Sequence, residues 1–198
     1  MEPLKTIKVV SHFEQGKLIP GKTVRIYYDE FPENPRTTFD NLGHMVCFHP
    51  RYNLGDKHII STSEFSSPDE LENLLIREYH AGVILPLTLF DHSGISMRIG
   101  RYGCKWDSSF VGFIYVTEDE VIREYGDLSE ESKKRAANVL KIEIEEYDAY
   151  LTGDVYRYES EDENGNELES VGGFLGYDAG MEGIAYYADI PVKMIMEA

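Results

Sequence analysis

AGVILPLTLFDHSG, residues 81–94, decides the class of fold. It is an apolar run of strand length, opened by Gly82 and closed by the turn sequence Asp91-His92-Ser93-Gly94, and it reads as a strand. Pro86 lacks an N–H, so an edge position or a bulge is expected there. On its C-terminal side, SMRIGRY (96–102) and FVGFIYV (110–116) read as two further strands. On its N-terminal side, KTVRIYYDE (22–30) alternates Val24, Ile26 and Tyr28 on one face, and GHMVCFHP (43–50) is a strand closed by Pro50. Between them FPENPR, with Pro32 and Pro35, is a turn or loop.

Helices are announced by their caps. Ser67-Pro68-Asp69-Glu70 combines an N-cap, a first-turn proline and a capping-box acid, and opens a helix to about His80. Thr117-Glu118-Asp119-Glu120 repeats the box and opens a short helix ending near Gly126. A longer helix runs from Ser129 to about Leu151, with Ala136, Leu140, Ile144, Tyr147 and Leu151 on one face and Glu143, Glu146 and Tyr150 on another. VYRYESED and NELESVGGFL flank Asn164-Gly165, a hairpin signal, and the chain closes with a Gly-rich GYDAGMEG and an apolar IPVKMIM segment. The expected fold is α+β, a single compact domain over 1–198 with a mostly antiparallel sheet, about three helices and a C-terminal β-hairpin. A sub-division near residue 126 is the alternative, giving a strand-rich lobe (1–126) and an acidic helix-plus-hairpin lobe (127–198).

At 198 residues the chain is long enough to bury a sizeable core. Its two cysteines, Cys47 and Cys104, form no CxxC pair and are read as free thiols of a reducing compartment. The N-terminal stretch has no uninterrupted apolar core of a signal peptide, and no run approaches membrane-spanning length, so a soluble cytoplasmic protein is expected. The net charge of −17 is uneven: residues 1–110 carry 14 acids against 12 Lys and Arg, and residues 111–198 carry 22 against 7. That half repels phosphate backbones and favours a basic partner, either as a docking surface or simply as a solubilising one.

HMVCFH (44–49) offers His44, Cys47 and His49. In a strand Cys47 and His49 share a face while His44 lies an odd number of positions away, so all three converge only through a bend. A zinc site would need to recruit His58, Asp56 or His92, and the spacing matches no zinc pattern, so neither a metal nor a cofactor is expected. Asp91-His92 could orient an imidazole beside Cys47 or Cys104 for nucleophilic chemistry, with His49 and Asp107 as further members, although Asp-His-Ser-Gly is also an ordinary turn. Trp106, the only tryptophan, stands beside Cys104 as a contact or half-buried residue. The 14 tyrosines, many beside acids, suit a basic and partly apolar partner. No phosphate-binding glycine loop is present in the sequence.

Taken together, RIYYDEFPENPR (25–36), DNLGHMVCFHPRYNLGD (40–56), DHSG (91–94), CKWDS (104–108), VGFIYV (111–116) and EYDAYLTGDVY (146–156) resemble an uncharacterised family of small proteins encoded by bacteriophages and mobile elements. The resemblance covers residues 23–176. Similar proteins place a Cys-Trp pair where Val171-Gly172 stand, so no role for a third thiol carries over. The resemblance implies an accessory protein acting inside a bacterium, of the kind that disarms restriction or CRISPR enzymes. The leading expectation is a non-enzymatic docking protein that presents Glu143, Glu146, Glu159, Glu161 and Glu163 to a basic host protein, with no direct nucleic-acid contact through the acidic half. The alternative is a small hydrolase or nuclease built on Cys47, His49, Asp91 and His92, with Cys104 and Asp107.

Overall fold

The computed structural model describes residues 2–14, 17–91, 93–100 and 108–198. The fold is α+β with antiparallel sheets. The chain divides into two compact units, Asn34–Thr152 and the two flanking segments Met1–Glu33 with Gly153–Ala198. Residue 126 lies inside the first of these.

The Asn34–Thr152 unit contains α1 (Pro35–Thr38), β5 (His44–Cys47), a 3-10 turn (Thr62–Glu64), α2 (Pro68–Glu78), β6 (Ala81–Asp91), β7 (Ile95–Ile99), β8 (Ser108–Thr117), α3 (Glu118–Tyr125) and α4 (Glu130–Thr152). The strand numbers allow for β1 (Lys5–Val9), β2 (His12–Glu14), β3 (Lys17–Ile19) and β4 (Lys22–Tyr28) upstream. The sheet order is β5-β8-β6-β7. Residues 81–94 read as continuous apolar sequence because both faces of this sheet are covered. Met45, Leu87, Leu89, Met97 and Ile114 meet Ala136, Leu140, Ile144 and Tyr147 of α4 on one side. Val46, Phe113 and Tyr115 meet Leu71 and Leu75 of α2 on the other.

Pro86 lies in an interior strand, yet its missing donor does no harm. Its carbonyl accepts from Gly100 N at 2.9 Å, so its nitrogen faces the same side, just where the ladder to β7 ends at Leu87↔Ile99. A register shift follows between Leu87 and Thr88 on the β8 side. Gly112 marks the tightest crossing: its φ is +151°, and an added Cβ would lie 1.9 Å from Val46 O. Gly112→Ala is therefore expected to destabilise by about 3 kcal/mol or more, read as a lowered urea midpoint at unchanged slope.

The expected caps are present. Ser67 accepts from Glu70 N, and Thr117 and Glu120 form a reciprocal capping box with Gly126 ending α3 in the left-handed region. At the start of α4, Asp127 Oδ1 accepts from Ser129 N at 3.0 Å and from Ser132 Oγ at 2.5 Å. The Ser132 and Ser129 bonds hold its carboxyl down to about 2. A carboxyl depressed in the folded state stabilises above its unfolded value near 4, and that contribution is lost as pH falls through about 2. Asp127→Asn should thus be less stable than the parent at pH 7, and the two acid-unfolding curves should converge towards pH 2.

The other unit carries a sheet of order β1-β4-β9-β10, completed by β9 (Val155–Asp162) and β10 (Glu167–Leu175), and a two-stranded β2-β3 pair. The β9-β10 hairpin is the one signalled by Asn164-Gly165. Two helices, α5 (Tyr177–Tyr187) and α6 (Val192–Met196), occupy the Gly-rich and apolar closing segments that carry no local helix signal. Met181 and Ile184 of α5 and Ile195 of α6 pack with Ile7, Val24, Ile26 and Tyr158. The glycines of α5 serve that packing: an added Cβ at Gly183 would lie 2.9 Å from the Phe174 ring, and one at Gly180 3.2 Å from Phe174 O. Close approach of helix to strand outweighs the weak helix propensity of glycine here.

Candidate functional site

Residues 34–36 and 41–56 converge on one buried guanidinium. Asn34 caps α1 by accepting from Arg36 N at 2.9 Å, which turns the Arg36 side chain inwards. Arg36 then donates Nε to Asp56 Oδ1 (2.9 Å) and Nη2 to Asp56 Oδ2 (2.8 Å) in a planar fork. It also reaches Gly43 O (2.6 Å), Asn41 Oδ1 (3.0 Å) and Glu143 Oε2 (2.8 Å). Burial opposes the positive charge, but the bonds and charges of Asp56 and Glu143 outweigh it and hold the pKa above the ordinary arginine value. Asp56 in turn accepts from Met45 N at 2.7 Å, and Glu143 from the Leu42 and Gly43 amides. This corrects the expected docking role of Glu143: the residue is buried and spends its carboxylate on the interior.

One turn further along α4, Glu146 borders an open cleft of about 680 Å³. Its carboxyl is shifted upward by burial and then by the charge of Glu143, against the pull of Arg36. Asp40, Glu120 and Glu124 add three carboxylates to the lining, and Arg123 is its basic member. Glu120 is engaged, bonded to Thr117 and to His44 Nε2 at 2.9 Å. Asp40, Glu124 and Glu146 make no hydrogen bond or ion pair among the described residues. Beside them Phe39 and Ile142 are 44% and 53% exposed. The cleft therefore offers carboxylates next to apolar surface, suited to a cation on an aliphatic stem.

The hairpin carboxylates are differently placed. Glu159 and Glu161 share one face of β9, as the alternation predicts, but each has a cationic neighbour: Arg157 at 2.5 Å for Glu159 and Arg25 at 2.6 Å for Glu161. Glu163 lies past the strand end and accepts from Ser11 Oγ. These contacts engage carboxylates that the sequence assigns to a surface facing a basic partner.

The proposed catalytic set does not assemble among the described residues. Cys47 is the last residue of β5 and packs into the α4-side core, where burial pushes its thiol up to about 12, against the reactive direction. The strand ends there and His49 lies in the following loop; Cys47 and His49 border one cleft, but no hydrogen bond joins them among the described residues. His49 Nδ1 accepts from the Arg51 and Tyr52 amides, both at 3.2 Å, and its ring stacks on Tyr52. Asp91 accepts from Arg51 and from Tyr52 Oη at 3.3 Å. His44 is on the exposed side with Glu120. Among the described residues no group of three or more His, Cys, Asp or Glu is arranged to hold a metal. His92, Cys104 and Asp107 lie outside the described residues, as does Trp106. Among the described residues no helix is long and apolar enough to cross a membrane.

Sequence reasoning missed Arg36 and Asp56 as a pair, and missed the cleft formed by Phe39, Asp40 and Glu124 with α4. One signal was present: Glu143 is seven residues from Ala136 and three from Leu140, so it falls on the apolar stripe itself. A carboxylate there demands a buried partner. Compared with family models, curated proteins and solved structures, the chain matches none.

Proposed function

We propose that this chain is a non-enzymatic binding protein whose acidic cleft in the Asn34–Thr152 unit docks a basic, partly apolar segment of another protein. The observation that carries the reading is the grouping of Asp40, Glu124 and Glu146, which make no hydrogen bond or ion pair among the described residues, beside exposed Phe39 and Ile142. A lysine or arginine would neutralise carboxylates while laying its aliphatic stem on the apolar rim. The net charge of −17 favours partners with basic surfaces, as nucleic-acid enzymes have, and the resemblance to phage accessory proteins suits a host restriction or CRISPR enzyme in that role. The burial of Cys47 and the local bonding of His49 and Asp91 weigh against the hydrolase alternative.

Calorimetry with an amphipathic Lys/Leu peptide tests the reading. Binding should weaken steeply between about 50 and 300 mM salt as the field is screened. The pair Glu124→Lys and Glu146→Gln should reduce affinity by at least about tenfold, as expected when complementary charge is lost. Equal binding by this double variant would refute the cleft as the docking surface.

A further inference from the structure

A second cleft, of about 790 Å³, is lined by residues between Cys47 and Thr62 of the same unit; it shares Asp56 with the Arg36 network and no residue with the acidic cleft. Its size is that of a small-molecule site. The hydrogen-bond states of its lining follow from geometry. His49 Nδ1 accepts two backbone amides, so its Nε2 carries the proton and is a donor. His58 Nε2 lies 3.1 Å from Cys47 O, a carbonyl that can only accept, which makes His58 Nδ1 an acceptor; that atom is buried and has no partner among the described residues. Asp56 also lines the cleft, but both its oxygens are occupied by Arg36 and Met45 N. Lys57 and Asn53 are exposed and make no hydrogen bond or ion pair among the described residues. The groups left to meet a ligand are thus the Lys57 ammonium, the His49 N–H, the Asn53 amide, the Thr62 hydroxyl and the buried His58 Nδ1 acceptor, beside Phe48, Pro50, Tyr52 and Leu54.

The aromatic part has an order. The Arg51 guanidinium lies 5.3 Å from the Tyr52 ring centroid, and the Tyr52 ring stacks on His49 at 4.8 Å and 15°. Arg51 and Tyr52 are tied down by Asp91. The stack therefore presents a braced imidazole to the cleft.

We propose that this cleft binds a small planar anion of nucleotide size, its ring laid on the His49 imidazole and its anionic group at Lys57. Aromatic stacking is tolerant of ring identity, and a lysine ammonium meets a phosphate or carboxylate as a point charge. The charge of −17 disfavours long polyanions, so the fit is to a mononucleotide-like molecule and not to a nucleic-acid strand.

Three probes separate the contributions: adenosine monophosphate, adenosine and inorganic phosphate, each titrated by calorimetry and by imidazole NMR on the full chain. The monophosphate should bind at least about fivefold more tightly than either fragment, since a stacked base contributes at least that much. Lys57→Gln should bring the monophosphate to the level of adenosine. His49→Asn, which keeps an acceptor for the Arg51 and Tyr52 amides but removes the ring, should bring it to the level of phosphate. A monophosphate no tighter than phosphate alone would overturn the proposal, as would unchanged affinity in Lys57→Gln or resonance shifts that spare His49 and His58. The probe series on the unaltered protein decides the matter even where a variant folds poorly.

Discussion

Arg36→Met should cost about 3–5 kcal/mol of stability, the range for removing one member of a buried ion pair. The Arg36 side chain is 1% exposed and that of Glu143 7%, so water cannot replace the lost partner. Glu143 would keep the Leu42 and Gly43 amides but lose its only cation among the described residues, and Asp56 would lose both arms of the fork. Arg36→Lys should rescue little. A lysine ammonium has three donors on a flexible stem, whereas the guanidinium here reaches five acceptor atoms on Asp56, Asn41, Gly43 and Glu143. The double variant Arg36→Met with Glu143→Gln should recover part of the loss, because the uncompensated charge goes with it. Urea unfolding of the three variants measures this, and thermal unfolding of Arg36→Met should show a drop in melting temperature of about 10 °C. A loss under about 1 kcal/mol would show that the network is not what holds α1, β5 and α4 together.

The same network shows where local sequence reading stops. Helix starts at Ser67 and Thr117 were legible because a cap is a contact between residues three apart, and the hairpin at Asn164-Gly165 because two residues set its turn. The buried α4 face was legible for the same reason, from spacing alone. Glu143 was misplaced because its charge assigned it to the polar face although its spacing put it on the apolar stripe, and its partner, 107 residues away, is not visible to periodicity. α5 was missed for a related reason. Gly180 and Gly183 lower helix propensity locally, and the gain that offsets this is contact with Phe174 on a neighbouring strand. The acidic character of the proposed docking surface was legible from composition. Its location was not, since it depends on which carboxylates form ion pairs with arginine, as Glu159 and Glu161 do, and which, like Glu124, form none among the described residues.

Cys47 provides the sharpest separation of binding protein from thiol enzyme. In a Cys104→Ser background, the native Cys47 thiol should react with iodoacetamide at pH 8 at least about a thousandfold more slowly than the same thiol in urea. Two causes act in the same direction. The side chain packs in the α4-side core at the edge of the 790 Å³ cleft, and with its thiol pushed up to about 12 only a very small fraction carries the thiolate at pH 8. The unfolded thiol titrates near 8.5, so it is substantially ionised under the same conditions. The sign of the linkage follows. An acid whose folded value is raised leaves stability intact below its unfolded value, and stability is lost as pH rises from about 8.5 through about 12. Cys47→Ala should therefore flatten the alkaline limb of the stability curve and leave peptide docking at the acidic cleft unchanged. A nucleophile would need the opposite: a thiol shifted downward, reacting faster in the folded protein than in urea. Labelling of native Cys47 faster than free cysteine would end the buried-thiol reading and restore a catalytic one, whereas slow labelling with intact docking leaves HMVCFH as a core strand whose cysteine packs and does no chemistry.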